Sequence, residues 1–506
     1  MSRRFFHRLA ILPAASFLLA CWSLPAAAAD EVELRMATEV NELRRVGISL
    51  EVGGHLLVNV EGKEQKLPMR VSALFRHQER ILSTMDGKPG EDSKSISHAA
   101  RSVRIYDEIK ADLEVDGRSI KPQLREDRRL IGVNVDGEKA TFVSLHGPLT
   151  REELDLVQTP GDSMIVSRLL PADGKAREVD ATWKHDADTM AILLGLEAVG
   201  STDVESKLYE LTDSLAKIEM NGTVHGAVDG IATQIELRGR YYFQRKSQRI
   251  NGLELHWKEK RAVGHTAPGV DVTARLKMHV AQLKEVPALG DEALTGTELE
   301  PGAEAELLEH TAQGNNIRFY HDSRWHVTQD SDRRVIMRLV DDGELVAQCN
   351  LVERKPMKAG NRQTLKEFQQ DIQRALGDKF GNFTRARESM NEAENVVYQV
   401  EAEGRVSDLP IKWIYYLVSA KDGRRVSVVF TMEGPLVEQF GESQEPIVSS
   451  LMLLEPEADT DAAESESTVS TEAEGGGVLN PQSAKKQSKR ADRAAQKEPA
   501  GKSVLR

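Results

Sequence analysis

Four stretches between residues 217 and 280 alternate between apolar and polar positions. A period of two is typical of β-strands that bury one face. Turn signals at Asp229-Gly230 and Asn251-Gly252 mark places where hairpins would close. The pattern therefore predicts an antiparallel meander of four strands. Its apolar positions are Ile218, Met220 and Val224, then Ile235, Leu237, Tyr241 and Phe243, then Leu253, Leu255 and Trp257, then Val272, Leu276, Met278 and Val280.

The alternate positions of this meander are polar and many of them are cationic. Burial of one face leaves the other in contact with water or with a polar partner. An ordinary solvated face is the simpler interpretation, and if the sheet binds a partner, this second face is the preferred interaction surface. Its aromatic content is too small for a nucleic-acid platform, so we expect no nucleic-acid partner. The residues proposed for the surface are Arg238, Arg240, Tyr242, His256, Lys258 and Lys260.

Further strands are predicted upstream, over residues 103–115, 130–135 and 140–145. A helical stretch separates the two groups of strands. Thr150 and Glu153 have the spacing of a capping box, and residues 187–196 are apolar enough to pack on a sheet. Residues 30–286 are thus predicted to form a mostly-β domain, a large curved antiparallel sheet with a few packed helices.

A second region, residues 316–455, mixes the two periodicities and predicts an α+β domain. Thr364 and Glu367 form a second capping box, and the apolar positions after Thr364 recur at helical spacing. A closing helix should begin near Ser443 and use Pro446 in its first turn. Strands are predicted over residues 317–320, 335–339, 345–352, 396–402, 411–419 and 426–432.

The order of these elements resembles a known architecture. The region opens on NIRFYHDSRW (residues 316–325) and continues with strands, a long helix, three more strands and a closing helix. It resembles the PsbP-like α/β/α sandwich over roughly residues 316–454, with Trp325 matching the aromatic anchor and His321 replacing the usual proline. The resemblance implies a binding scaffold rather than a reaction. The whole chain also resembles exported proteins of the planctomycete type, a resemblance that supplies an architecture but does not identify an active site.

Composition divides the rest of the 506-residue chain. Residues 1–29 combine arginines, an apolar run and an alanine stretch, as in a secretory signal peptide, and the apolar run is too short to span a bilayer. Residues 287–315 are predicted to be a linker. Residues 456–506 lose their aromatics and are predicted to be a disordered tail, acidic first and basic at its end. The tail residues proposed for interaction are Lys485, Lys486, Lys489 and Arg490.

The chain has two cysteines and a net charge of −13. If Cys21 leaves with the signal peptide, Cys349 alone remains and no internal disulfide can form. Lipidation at Cys21 and export by the twin-arginine route are the minority alternatives to general secretion. The negative net charge argues against a general attraction to nucleic acid or anionic lipid, so a basic function would have to be local.

Candidate catalytic chemistry is sparse. We find no phosphate-binding glycine loop, no serine nucleophile elbow, no HExxH motif and no paired CxxC motif. The best metal candidate is His321 with Asp322 and His326, but no third ligand is identifiable and a hairpin turn around Trp325 explains these residues better. His185 is a candidate general base, and the carboxylates at 152, 153 and 155 also suit the first turn of a helix. Cys349 is interpreted as a small buried strand residue.

These observations favour an exported, non-catalytic binding or scaffold protein of the cell envelope. We expect it to be periplasmic or otherwise soluble outside the cytoplasm, without a transmembrane anchor after signal cleavage and without a cofactor. Its partner would be an envelope protein or an anionic surface. Two alternatives stay open: a periplasmic carrier of a lipid or other apolar ligand, and a hydrolase with a dispersed site.

Overall fold

The structure, a computed structural model, describes residues 31–36, 38–86, 97–300, 302–312, 314 and 316–455. The predicted signal peptide with Cys21 lies outside these residues. The predicted tail, with Lys485, Lys486, Lys489 and Arg490, lies outside them as well. Within the described ranges the fold is mostly antiparallel β-sheet.

The first half of the chain contains fifteen of the strands. They are β1 (Val32–Glu33), β2 (Leu43–Val60), β3 (Lys63–Asp86), β4 (Ser97–Val115), β5 (Arg118–Ile120), β6 (Leu130–Asp136), β7 (Lys139–Ser144), β8 (Ala176–Arg177), β9 (Thr182–Lys184), β10 (Ala198–Thr202), β11 (Glu205–Leu211), β12 (Leu215–Val228), β13 (Ile231–Gln244), β14 (Arg249–Arg261) and β15 (Gly269–Leu283).

Thirteen of these strands form one antiparallel sheet, which we call the first sheet. Its main order is β7-β6-β4-β3-β2-β15-β14-β13-β12-β11-β9, with β5 paired to β4 and β10 paired to β12. The predicted meander is confirmed as β12 to β15, and the predicted upstream strands are confirmed as β4, β6 and β7. The sequence reading missed β2 and β3, whose hairpin turns at Glu61-Gly62 and joins the two groups of strands.

Two helices and a 3-10 segment cover one face of the first sheet. The helices are α1 (Arg151–Val157) and α2 (Ala187–Leu194), and the 3-10 segment is Ser163–Leu169. The predicted capping box is confirmed, because the Thr150 hydroxyl accepts from the Glu153 N–H and the Glu153 carboxylate accepts from the Thr150 N–H. Apolar side chains from the meander, β2 and β3 pack under these elements in one continuous core.

An ionic network is buried at one edge of this core. The Arg104 guanidinium donates two hydrogen bonds to the Asp162 carboxylate, at 2.7 and 2.6 Å, and one to Glu79 at 3.1 Å. The exposure of these three residues is 5% or less. Burial works against the charged form of Asp162, but the Arg104 guanidinium and the Met164 N–H outweigh it and hold the pKa of Asp162 below its ordinary value. The network attaches the 3-10 segment to β4.

The second half of the chain contains the remaining strands and helices. They are β16 (Leu308–Ala312), β17 (Ile317–His321), β18 (Trp325–Ser331), β19 (Arg334–Asp341), β20 (Glu344–Arg354), α3 (Leu365–Leu376), β21 (Phe380–Met390), β22 (Val396–Val406), β23 (Leu409–Ser419), β24 (Arg425–Glu433), α4 (Val437–Phe440), α5 (Glu445–Ser450) and β25 (Met452–Leu453).

Seven of these strands form the second sheet, in the order β18-β19-β20-β24-β23-β22-β21. Strands β16, β17 and β25 form a small separate sheet. All six strands predicted for this region are confirmed, and so is α3 with its capping box at Thr364. One apolar cluster joins α3 to the second sheet through Phe368 and Ile372, and another joins α4 and α5 through Phe440 and Ile447.

The segment predicted as a linker, 287–315, includes strand β16 and side chains that are buried. Leu289 and Leu294 pack in a small apolar cluster beside β4 and β6, and Leu308 belongs to the core of the first sheet. Among the helices in the described ranges, none has the length and apolarity that a membrane crossing requires.

Two hairpin turns bring the sheets into direct contact. The β12–β13 turn contains Gly230 and the β19–β20 turn contains Gly343, and both glycines have positive φ. A Cβ atom on Gly343 would lie 2.7 Å from the Gly230 carbonyl oxygen. Only glycine therefore fits at this contact, because any side chain would push the two turns apart.

Candidate binding groove on the first sheet

The structure places the six described residues of the proposed interaction surface together on one face of the first sheet. Arg238, Arg240 and Tyr242 alternate along β13, and His256, Lys258 and Lys260 alternate along β14. All of them are exposed except Tyr242, which is half-buried. This face, which we call the outer face, lies opposite the core because the intervening residues are buried.

The cationic surface continues onto β15, beyond the residues that the sequence singled out. Arg238 lies directly opposite His256, which in turn lies opposite Arg275 of β15. Lys277 and His279 follow Arg275 on the same face, at alternate positions. A row of three cationic or imidazole side chains therefore crosses three adjacent strands.

Strand β2 supplies a narrow floor beside this row. Its outer positions include Gly47, Ser49 and Gly53, which are small, together with Glu51. Cross-strand neighbours on β15 and β3 carry much longer side chains, since Gly47 lies between His279 and Arg76. Small residues flanked by long ones create a groove along β2, about 20 Å long from Gly47 to Gly53 at the usual rise of a strand. We call it the β2 groove.

Two hollows make up the β2 groove. The larger has a volume of about 900 Å³ and the smaller about 470 Å³. Tyr242 lines the larger hollow and His256 the smaller one, whereas Arg238, Arg240, Lys258 and Lys260 lie on the surface that flanks them. The charged and imidazole side chains of the larger hollow are Arg45, Arg76, Lys246, Glu254, Lys277 and His279. Those of the smaller hollow are Glu51, Arg70, His256 and Arg275.

Most of the cations in the groove form no ion pair within 4 Å, although Glu254 lies opposite Lys277 and Glu51 opposite Arg275 in the strand register. Within the part of the chain that the structure describes, Arg76 pairs with Glu108 at 2.7 Å. No carboxylate lies within ion-pair distance of the other lysines and arginines of the two hollows, which are Arg45, Arg70, Lys246, Arg275 and Lys277. Cations outnumber acids in the groove, so its potential is positive although the chain as a whole is negative.

Two tyrosines in or near the groove have different roles. The Arg240 guanidinium lies 5.9 Å from the centre of the Tyr209 ring, a cation–π contact that holds Arg240 towards β11 and away from the hollows. Tyr242 faces the larger hollow, where partial burial and the nearby Glu254 carboxylate raise its pKa. Its hydroxyl therefore stays protonated at neutral pH and is available as a donor.

The sequence pattern did not lead us to predict the floor of the groove, because β2 and β3 were not predicted. A signal for β2 was present, since Val46, Ile48 and Leu50 alternate before the Glu61-Gly62 turn. Glycines at outer positions of β2 weaken the strand pattern, because glycine has a low intrinsic preference for strands. The same glycines leave room for the groove.

The candidate catalytic residues lie elsewhere and are buried. The His185 imidazole is buried, with Nε2 2.7 Å from the Ser206 hydroxyl, and burial lowers its pKa to about 4. His321 is also buried, and its Nδ1 lies 2.8 Å from the Asp322 carbonyl oxygen. Neither imidazole is accessible to a substrate at the surface in this arrangement.

The candidate metal ligands are not brought together either. The Asp322 carboxylate accepts from the Arg324 side chain at 3.0 Å, and His326 Nε2 lies 3.9 Å from an Asp229 oxygen. Across the described residues, no group of three or more histidine, cysteine or carboxylate side chains has the geometry of a metal site.

The remaining candidate residues are the three carboxylates near the start of α1 and Cys349. Glu153 caps α1 and also accepts from the Arg125 side chain at 2.7 Å. Glu152 and Asp155 are exposed on the same helix. Cys349 is fully buried in the second sheet, and burial raises the pKa of its thiol. A thiol of that kind is a poor nucleophile.

Comparisons with known proteins give only distant similarities. No family model matches the sequence, and no curated protein matches it. Among solved structures, the cyanobacterial PsbP (CyanoP) of Synechocystis sp. PCC 6803 matches 30% of this chain and 97% of its own, at 15% identity and a TM-score of 0.24. Lipovitellin, from a structure of its lipid–protein interactions, matches 50% of this chain at 7% identity and a TM-score of 0.27.

The chain spans about a quarter of the lipovitellin chain, of which 26% is covered. The outer-membrane protein OccAB4 of Acinetobacter baumannii matches 78% of this chain and 97% of its own, at 11% identity and a TM-score of 0.12. The PsbP match supports a weak PsbP-like resemblance over less than a third of the chain. The matches do not support the resemblance to exported planctomycete-type proteins, and at these scores none of them carries a functional argument.

Proposed function

We propose that the chain is an exported, non-catalytic binding protein of the cell envelope, whose first sheet holds a linear polyanion in the β2 groove. The observation that carries this proposal is the excess of lysines and arginines over carboxylates around a floor of small residues. An acidic polysaccharide is the kind of ligand that this arrangement fits.

The shape of the groove favours a polymer over a small anion. The two hollows follow one strand for about 20 Å. Arg275, Lys277 and His279 occupy alternate positions on the β15 side, and Arg70 and Arg76 lie at the two ends of the β3 side. A single small anion needs several donors converging on one point, which open, parallel walls do not provide. Repeated negative charges on an extended chain would instead meet one cation after another.

The sugar-like character of the ligand follows from what the groove contains besides charge. Tyr242 is its single tyrosine, and among the described residues no phenylalanine or tryptophan lines the two hollows. Single-stranded nucleic acid is usually held by several stacked aromatics. A polymer with carboxylate or sulfate groups and hydroxyls needs cations and polar donors, which the groove offers.

The second sheet and the tail would serve the same binding role. We infer that residues 316–454 form a PsbP-like α/β/α sandwich that acts as a scaffold; the packing of α3 apart from α4 and α5 supports this. The basic end of the tail, residues 485–506, would add a second contact with an anionic surface.

Binding of the mature chain, residues 30–506, to immobilised polygalacturonate and dextran sulfate tests the proposal. We expect the double variant Arg275→Gln/Lys277→Gln to bind about thirtyfold more weakly at 50 mM salt and to depend less on salt, because each cation near a polyanion contributes about 1 kcal/mol. Biolayer interferometry at 50 and 200 mM NaCl measures both effects.

The matched control removes two exposed lysines from the second half of the chain, as Lys358→Gln/Lys366→Gln. Its affinity should stay within twofold of that of the unmodified chain. Equal weakening of both double variants would assign binding to net charge rather than to the groove. A chain that ends at Glu455 should keep most of its affinity, and complete loss of binding there would assign it to the tail.

A further inference from the structure

On the opposite face of the first sheet, a row of apolar residues extends along β2, β3 and β4 beyond the buried Arg104 network. Val52 lies opposite Val71, which lies opposite Leu113, and Leu56 lies opposite Leu67. Residues directly opposite each other in a sheet point to the same side. The apolar row therefore extends from the core towards the ends of these long strands.

Burial decreases along this row. Val46 and Phe75 are buried under the helices, with exposures of 0% and 3%, whereas Val52 and Leu113 are half-buried. At the far end Ile120 is 59% exposed. The described part of the chain thus leaves one end of the apolar face partly open to solvent. We call this end the apolar shelf, formed by Val52, Leu56, Leu67, Met69, Val71, Leu113 and Val115.

A pocket lies where the apolar shelf meets the core. It has a volume of about 950 Å³, within the usual range for small-molecule sites. Its apolar lining comes from the core-facing residues of β2, β3 and β4 and from the segment after β5. These residues are Leu50, Ala73, Ile109, Ala111, Pro122 and Leu124.

The segment after β5 is firmly attached. The Arg125 guanidinium donates to Glu153 of α1 at 2.7 Å, to Glu309 at 3.0 Å and to the Pro148 carbonyl oxygen at 3.0 Å. Three anchors on separate elements hold this wall of the pocket in place. The pocket is therefore a preformed feature, which lowers the entropic cost of filling it.

One cation at the edge of the pocket is only weakly paired. Lys110, Lys121, Arg125 and Arg129 line the pocket beside Glu51, Asp112 and Glu126. Lys110 is held by Glu108, Arg129 by Glu126 at 2.8 Å and Arg125 by Glu153 and Glu309. Lys121 lies 3.8 Å from Asp112, and its side chain is 69% exposed. An ion pair that is so long and exposed is weak, so Lys121 is free to exchange Asp112 for an anionic group on a ligand.

We propose that the pocket and the apolar shelf bind an amphiphile with an acyl chain and a negatively charged head group. The acyl chain would lie over Ala111 and along the shelf, where burial of its methylene groups is favourable. The head group would lie near Lys121 at the edge of the pocket. The apolar shelf and the core-facing lining of the pocket are on the face opposite the β2 groove, although Ser49, Glu51, Ser72 and Leu74 line both the pocket and the hollows of the groove. The proposal does not depend on the function proposed for the groove.

Isothermal titration calorimetry with palmitate, 1-palmitoyl-lysophosphatidylglycerol and 1-palmitoyl-lysophosphatidylcholine tests the proposal on the mature chain. We expect micromolar binding of the first two and weaker binding of the third. Ala111→Phe fills the pocket and should weaken binding of palmitate at least about tenfold. Met69→Lys/Leu113→Lys places charges on the shelf and should have a similar effect without changing the pocket wall.

Two control variants separate loss of the site from loss of the fold. Ala111→Ser keeps the volume of the pocket, and Met390→Lys adds a charge at a methionine of β21 that is 62% exposed; both should bind palmitate as the unmodified chain does. Lys121→Glu should weaken palmitate but not lysophosphatidylcholine. Absence of binding to the folded, unmodified chain, or equal binding by Ala111→Phe and Ala111→Ser, would overturn the site. Equal affinity for all three amphiphiles would overturn the anionic head group.

Discussion

Three histidines are enclosed by the fold, and their sequence neighbours gave no indication of this. Burial lowers the pKa of His98, His185 and His321 to about 4 in each case. His185 and His321 were candidate functional residues, yet both contact neutral partners inside the protein. A histidine held neutral in this way makes the folded state sensitive to acid.

The sign of this effect follows from the direction of the shift. The folded-state pKa lies below the unfolded value of 6.5, so the unfolded chain binds protons first as the pH falls. The contribution of the neutral histidine to the free energy of unfolding is fully present above pH 6.5 and is lost between pH 6.5 and about 4. Over that interval, the free energy of unfolding of the His185→Asn variant should fall by up to about 3 kcal/mol less than that of the unmodified chain.

Urea unfolding followed at pH 8, 6.5, 5.5 and 4.5 measures this difference. The two curves of unfolding free energy against pH should run parallel between pH 8 and 7 and diverge below 6.5. Parallel curves down to pH 4.5 would show that His185 is not held neutral in the folded chain.

At the scale of elements, caps and short segments decide how the sheets are covered. The capping boxes at Thr150 and Thr364 were readable from sequence, because a cap joins residues three positions apart. The attachment of the 3-10 segment was not readable, because Asp162 and Arg104 are 58 residues apart. Their bidentate pair is buried, and such a pair is costly to break.

Asp162→Ala should therefore lower the free energy of unfolding by about 3 to 5 kcal/mol, because it leaves the buried Arg104 with Glu79 as its remaining carboxylate partner. Urea denaturation measures the change, and amide hydrogen exchange should increase first in residues 163–169.

Asp291→Ala is the matched control for this variant. It removes the carboxylate from an Arg80 pair of 2.6 Å in which Asp291 is 90% exposed, and it should cost less than about 1 kcal/mol. Similar losses for both variants would mean that the Arg104 network does not stabilise the cover of the sheet.

At the scale of the whole molecule, the contact between the sheets depends on two glycine turns. Gly230 and Gly343 approach so closely that a Cβ on Gly230 would lie 2.0 Å from the Gly343 nitrogen. The His265 carbonyl oxygen adds a contact by accepting from Arg338 at 2.7 Å, and the Ser323 carbonyl oxygen accepts from Arg151 of α1. The turns thus set the distance between the two sheets.

Gly343→Ala should separate the turns and widen the distribution of distances between the sheets. Spin labels on exposed sites of the two sheets measure that distribution by double electron–electron resonance. Gly117→Ala is the control, since Gly117 has nearly the same φ, +77° against +78°, and no atom within 4 Å of an added Cβ. Both variants bear the backbone cost of alanine at positive φ, about 1 to 2 kcal/mol. Identical distance distributions in the two variants would contradict the role of the turn contact.

The amino-acid sequence by itself determined the local elements. Alternation predicted β12 to β15 and the strands of the second sheet, and capping boxes predicted α1 and α3, because these signals lie within a few residues of one another. It also indicated that Arg238, Tyr242 and His256 share a face, since hairpin register follows from the turns between adjacent strands.

The tertiary structure alone decided where the β2 groove and the pocket lie. Strand β2 pairs with β15, more than two hundred residues later in the chain, and that pairing places Gly47 beside His279 and Ser49 beside Lys277. The pocket likewise combines β2, β3 and β4 with a wall that Arg125 anchors to α1. Grooves and pockets of this kind arise from contacts between distant segments, and no short-range pattern in the sequence encodes such contacts.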